Sequence, residues 1–329
     1  MEIESFRDAQ PAIAAMMRSQ GGLGVLLSAE TPRPGSGQDA FALLLAEVTA
    51  HRQRGFTLAL PAGVSARYAR RMEDVSLRRY TEEAQALEAF AVRLDAIDRG
   101  ALAPTVRTDA EILGRQLRDR LQELRFRAFE IPIGSREGFH FELPALPDRH
   151  TFDTVRSYDD YIAKLQSFGE HAGQRILMLG AGLASGRTMP RELLAGYDTA
   201  VADQIVPDVT ASPLFQPFRD IPSSFPQADR DRIVADGTKA LSESVMPGLQ
   251  AFLDFLRREY VPGARATLGL GALRDGAEFY QHRIRMHTTL ELSPEQVHEV
   301  GRREVARIRA EMEAVKARAG FTGSLAAFM

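Results

Sequence analysis

Ser293-Pro294-Glu295-Gln296-Val297-His298-Glu299-Val300-Gly301 is the stretch from which the fold is read. Serine makes a good N-cap because its hydroxyl accepts a hydrogen bond from a first-turn backbone N–H. Proline at the next position gives up an N–H that has no intrahelical partner there, and glutamine three residues after the cap can reach back to it. The predicted helix runs to about Ala319, with Gly320 as its stop.

Upstream the same period recurs. Gly269 to Gly276 is a glycine-rich turn running into Ala277-Glu278-Phe279-Tyr280. Leu193, Leu194, Tyr197 and Val201 follow Thr188 and Pro190 at helical spacing, and Ser157 and Asp160 suggest another start. Thr108-Asp109-Ala110-Glu111 has the form of a capping box, with Leu113, Leu117, Leu121 and Leu124 behind it. Tyr80, Ala84, Leu87, Ala91 and Leu94 make an earlier stripe that Gly100 should end, and Asp39 opens a helix carrying Phe41, Leu44, Leu45 and Val48. Proline-rich connectors interrupt the pattern at Glu130 to His150 and at Val206 to Pro226. No alternation is long enough for a sheet, and Phe139 to Leu143 allows at most a short β-hairpin.

The fold expected is therefore all-α, an irregular multi-helix array with Pro/Gly-rich connectors. Residues 1–38, with Thr31-Pro32-Arg33-Pro34-Gly35 at their end, read as an arm and linker, and residues 39–329 as the helical body. After Gly320, Thr322 or Ser324 can cap a new helix whose first apolar pair is Leu325 and Phe328, and there the chain stops. One turn does not repay its nucleation cost, so the tail reads as a chain cut in mid-element.

Composition removes whole classes of chemistry. The chain has 329 residues, 44% hydrophobic and 26% charged, which are ordinary globular proportions. A net charge of −3 gives nucleic acid or an anionic membrane nothing to hold. Only Lys164, Lys239 and Lys316 are lysines, an arginine bias read as genomic base composition. With no cysteine there is no disulfide, thiolate metal site or thiol nucleophile. The acid-bearing start, Met1-Glu2-Ile3-Glu4-Ser5, is unlike a signal peptide, and no apolar run is long enough to span a bilayer, so a cytoplasmic protein is expected.

Three motifs imitate known chemistry. Ile176-Leu177-Met178-Leu179-Gly180-Ala181-Gly182-Leu183-Ala184-Ser185-Gly186 resembles a strand entering a dinucleotide-binding turn, but its third glycine is one place late. Ile176, Leu179 and Leu183 keep helical spacing, so a small-residue helix contact is the better reading, and a nicotinamide-dependent oxidoreductase requires Ile176–Leu179 to be a strand. His298-Glu299 begins like the zinc peptidase H-E-x-x-H, but positions 302 and 303 are both arginine, which leaves a solvated helix face. The block from Gly269 on brings a sharp turn, Tyr280, Arg283, Arg285, His287, Thr288 and Thr289 together, donors suited to an anionic or peptide ligand.

At this block the sequence resembles a known family. Ser224-Phe225-Pro226, Pro247, Phe252-Leu253, Leu256-Arg257-Arg258-Glu259-Tyr260, Gly269-Leu270, Asp275-Gly276 and Tyr280 match its signature. So do Thr288-Thr289, Ser293-Pro294-Glu295, His298-Glu299-Val300-Gly301, Glu304-Val305, Glu311-Met312 and Gly320-Phe321. These residues are similar to the bacterial domain-of-unknown-function family 885, whose members resemble zinc-dependent peptidases. Weaker matches at Pro132, Gly138, Asp159 to Tyr161 and Gly182 to Pro190 extend the likeness over about residues 40–329.

The resemblance implies a helical fold and, in a full-length member, a zinc site made by a His-Glu motif and a Pro-Gly-His-His run in the second half. This sequence has no Pro-Gly-His-His and no second His-Glu, so no metal ligand carries over and no cofactor is expected in this chain. The implied reading is the N-terminal half of a metallopeptidase-like protein, a wall of a peptide-substrate cleft that is inactive alone. Tyr280, Thr288 and Thr289 are the candidate substrate contacts. The alternative is a non-catalytic helical binding or scaffold protein, or the partner of a separately encoded catalytic half. Helices lacking their partners should expose an apolar face through which the chain self-associates.

Overall fold

The computed structural model describes residues 37–53, 70–134 and 137–329. The arm expected over residues 1–38 lies outside the described residues, except that Gly37 and Gln38 already belong to the first helix. Among the described residues there is no sheet, and the one β pairing is an isolated antiparallel bridge between Gly134 and Glu137. Phe139–Glu142 is a single helical turn instead of a strand, with Phe139 and His140 buried. The chain divides into two compact units, residues 1–268 and residues 269–329.

The first unit holds two cores. In one, α1 (Gly37–Gln53), α2 (Leu77–Asp95) and α3 (Pro104–Arg125) bury Phe41, Leu44, Leu87, Leu94, Leu113 and Leu117. Each such side chain taken from water contributes about 1.5–3 kcal/mol before entropy is charged against it. Two boundaries differ from those expected. Pro104 starts α3, so Thr108 lies one turn inside, where its hydroxyl donates to the Pro104 carbonyl at 3.2 Å. Proline's fixed φ sets the first turn, and the Thr108 capping box does not form. α2 ends at Asp95, well before Gly100, whose N–H instead bonds the Asp98 carboxylate in a short turn.

The larger core joins α4 (Val155–Gln166), α5 (Phe168–Ser185), α6 (Tyr197–Ala202), α7 (Gln227–Ala240) and α8 (Met246–Phe255) around Tyr158, Tyr161, Phe168, Leu179, Leu249 and Phe252. Thr154 caps α4 with Ser157 reciprocating, so the predicted start moves back by one turn. Gly196, in the left-handed conformation, divides the helix predicted beyond Thr188 into a short 3-10 turn, Arg191–Leu194, and α6.

α7 and α8 belong to one helical column that contains two π turns, Leu241–Val245 and Leu256–Tyr260. Met246 N–H bonds the Leu241 carbonyl and Val261 N–H bonds the Leu256 carbonyl, each five residues back. Each turn is followed two residues on by Pro-Gly, at Pro247-Gly248 and Pro262-Gly263. A proline inside a helix lacks the N–H for the usual bond and crowds the carbonyl four residues before it. The wider turn re-routes those carbonyls and lets the column continue. The glycines then permit close approach: a Cβ on Gly248 would stand 3.0 Å from the Phe168 ring, and one on Gly263 would stand 2.9 Å from Leu183. The column and α5 therefore meet at both ends of α5.

The second unit comprises α9 (Gly276–Thr288), α10 (Pro294–Arg318) and α11 (Leu325–Phe328). The Ser293 capping box forms as read, with Gln296 N–H on the serine hydroxyl at 3.2 Å and Gln296 Oε1 on Ser293 N–H at 2.8 Å. Gly320 takes a φ of +70° and ends the helix, Gly320 N–H bonding Ala317 O and Phe321 N–H bonding Lys316 O. That double bond pattern needs a left-handed residue, which glycine supplies without strain. Ser324 caps α11, and the Phe321 and Phe328 rings meet at 5.5 Å.

Candidate functional site

The block singled out in the sequence, residues 269–289, lies in the second unit. Gly269 turns the backbone at φ +73°, and Leu270–Ala272 makes a short 3-10 turn that folds onto the start of α9. Gly276 must be glycine, because a Cβ there would lie 1.8 Å from the Leu270 carbonyl oxygen. Phe279, His282 and Ile284 are buried and orient α9, and Tyr280 stands out at 41% exposure. His287 is seven residues on, nearly two whole turns, so the exposed Tyr280 and His287 lie on one face.

Thr288 and Thr289 shape the end of that helix. The Thr288 hydroxyl donates to the Ile284 carbonyl at 2.7 Å and accepts from Leu290 N–H at 3.1 Å. Thr289 takes the left-handed conformation, φ 64°, and its N–H bonds Arg285 O. Gln281 holds the following loop by donating to the Leu292 carbonyl at 2.7 Å. Tyr280 and Thr288 are therefore about 12 Å of helix rise apart and do not converge on a single point.

A second polar cluster, in the first unit, was not visible as a motif. Residues 70–76 are strapped to α4 and α5 by side-chain bonds. Met72 N–H bonds the Ser167 hydroxyl at 2.8 Å, Val75 N–H bonds Gln174 Oε1 at 2.9 Å, and Arg70 pairs with Asp160 at 2.7 Å. His171 Nδ1 lies 2.8 Å from the Glu73 carbonyl, so Nδ1 carries the proton and Nε2 accepts from Arg175 Nε at 3.3 Å. Burial first, and then the neighbouring Arg175, lowers the His171 pKa to about 4.

Arg175 also reaches the Glu73 carboxylate at 3.4 Å, and Arg120 grips Glu83 with two bonds of 2.7 and 2.9 Å. Burial raises the pKa of Glu73, against the pull of Arg175, and burial likewise raises that of Tyr80, whose ring stacks on Phe129 at 4.3 Å. A carboxyl, a phenol, an imidazole and two guanidiniums thus share one partly buried patch. Clustering of shifted groups is a general mark of functional sites and also of structural ion-pair networks. Its members are up to about a hundred residues apart in the chain, so no local spacing announces them.

The glycine motif is part of α5. Residues 176–185 are helical, which overturns the dinucleotide reading and with it the oxidoreductase. Gly182 permits close packing: a Cβ there would lie 2.6 Å from the carbonyl oxygens of both Glu130 and Arg187. The fully buried Glu130 accepts from the Ser185 hydroxyl at 2.8 Å and pairs with Arg127 and Arg187, which ties down the helix end. Burial raises the Glu130 pKa. His298 and Glu299 lie exposed on α10 beside exposed Arg302 and Arg303. Among the described residues no group of three His, Asp or Glu is arranged to hold a metal, so the side chains described do not fit zinc. No helix among them is long and apolar enough to cross a membrane.

A family model described as "Bacterial protein of unknown function (DUF885)" matches residues 57–329. No curated protein matches the sequence. Among solved structures, a crystal structure from Colwellia psychrerythraea, described as a candidate lipoprotein, superposes with a TM-score of 0.77 at 20% identity. The likeness covers 88% of this chain and 52% of that one, so the chain spans about half the length of its structural neighbour. At that identity the fold alone is shared.

Proposed function

This chain belongs to the bacterial DUF885 family, and from that membership we propose that it is the N-terminal helical portion of a metallopeptidase-like protein. The observation that carries the reading is coverage: the shared fold takes up 88% of this chain and 52% of the neighbour's. A like-folded protein therefore holds about as much chain again, which is where a catalytic region has room. In the whole protein the proposed reaction is peptide-bond hydrolysis. The contribution of this portion is to bind and orient the peptide along a helical wall.

Tyr280 is the substrate contact favoured by exposure, since its ring is available on the outer face of α9. Thr288 and Thr289 act through the loop they shape, because the Thr288 hydroxyl already has a donor and an acceptor. The test is peptide hydrolysis by the pure 329-residue chain with added zinc. No turnover above background is expected from it alone. Chelator-sensitive turnover by this chain would refute the division of labour. In a full-length family protein, Ala in place of the residue equivalent to Tyr280 should raise KM several-fold and leave kcat nearly unchanged.

A further inference from the structure

α10 is 25 residues long and has no buried residue. Its apolar residues nevertheless follow a strict pattern: Gly301, Val305, Ile308, Met312, Val315 and Ala319 alternate at spacings of four and three. Val305 is 67%, Ile308 46% and Val315 45% exposed. A seven-residue repeat of this kind keeps one seam facing a partner helix.

The charges beside the seam are sorted by sign. Arg302, Arg309 and Lys316 recur every seven residues on one side, and Glu304 and Glu311 on the other. In a parallel, in-register pair the side chain before one core position faces the one after the next core position of the other helix. Glu304 then meets Arg309 of the partner subunit, and Glu311 meets Lys316 of the partner subunit. An antiparallel pair would set acid on acid and base on base. The surface is complementary to itself in one orientation only.

We infer that α10 is a self-association surface on which a second copy of this chain docks as a parallel, in-register helix pair. This goes beyond the proposed role in a peptidase and stands or falls independently of any hydrolysis. Within one chain Arg307 holds Glu304 at 2.9 Å and Glu311 at 2.7 Å, and Lys316 holds Glu313 at 2.6 Å. These ion pairs are largely exposed, worth less than about 1 kcal/mol each, and can be exchanged across the seam. Val305 at its core position suits two strands, whereas Gly301 leaves a gap and the repeat is short, so the pair is weak and concentration-dependent.

The protein has no cysteine, which makes cross-linking decisive. Ile308→Cys, on the seam, should form an interchain disulfide under mild oxidation, and Arg303→Cys, on the opposite face, should not. Sedimentation velocity between roughly 1 and 200 μM should show the mass rising toward that of a dimer. The double reversal Glu304→Arg with Glu311→Arg should weaken association at least tenfold, and adding Arg309→Glu with Lys316→Glu should restore it. Far-UV circular dichroism of each variant checks that the helix persists. A monomer at every concentration would overturn the inference and leave the seam to a different polypeptide, such as the rest of a longer family protein. Equal cross-linking at 303 and 308, or association indifferent to the charge reversal, would overturn it as well.

Discussion

His140 is fully buried, and neither ring nitrogen has a hydrogen-bond partner among the described residues. Its ring packs against Phe141 at 4.2 Å and Tyr197 at 4.5 Å. Burial lowers its pKa to about 4, as it does for His171. A histidine in the unfolded chain titrates near 6.5, so as pH falls from about 6.5 toward 4 the unfolded state takes up protons that the folded state refuses. Stability is present above that window and lost through it, by at most roughly 3 kcal/mol per histidine. Glu73 and Glu130, with raised pKa values, act in the opposite sense at lower pH, so the histidines are best isolated by substitution. Urea melts at pH 7 and 4.5 should show a large loss of stability, and His140→Leu should remove about half of it. Equal slopes for the variant and the parent would assign the acid lability elsewhere. His171→Leu should cost more at neutral pH, since it breaks bonds to the Glu73 carbonyl and to Arg175.

At the scale of elements, ends were read most accurately where the signal was chemical and local. The Ser293 box and the Gly320 stop stand where the residues put them. Thr108 failed as a cap because Pro104, four residues earlier, had already started the helix. Close approach between elements depended on glycines whose neighbours are distant in sequence. Gly182→Ala is the sharpest test, since the new methyl would stand against two backbone carbonyls that are fixed by other bonds. Its cost, about 1–3 kcal/mol of overpacking, outweighs the roughly 1 kcal/mol that alanine adds in a helix. A thermal midpoint unchanged or raised by Gly182→Ala would contradict the contact. The paired π turns before Pro247 and Pro262 show the same dependence, because proline in mid-helix reads as a break until the wider turn is seen.

Across the whole molecule, burial is distributed unevenly. α8 buries Gly248, Leu249, Phe252, Leu253 and Phe255, whereas α10 buries nothing. Local opening is cheapest where few apolar contacts are lost. Amide hydrogen exchange at dilute concentration should therefore be fastest in residues 294–318 among the long helices and slowest in residues 246–255. Protection of α10 that matches α8 in a dilute sample would mean that it is covered already.

The sequence by itself determined the all-helical class, the late capping box, the glycine stop, the family and the near miss at His298-Glu299. Each rests on hydrogen bonds or periodicity within one or two turns, or on residue identity, which a linear chain displays. Only the tertiary structure decided that Thr288 is committed to a helix end, that His171 is held neutral between Glu73 and Arg175, and that Gly182 admits two carbonyls. It alone also showed that the apolar seam of α10 has no cover of its own. Burial, and the pairing of charges far apart in the chain, arise only when distant segments exclude water together.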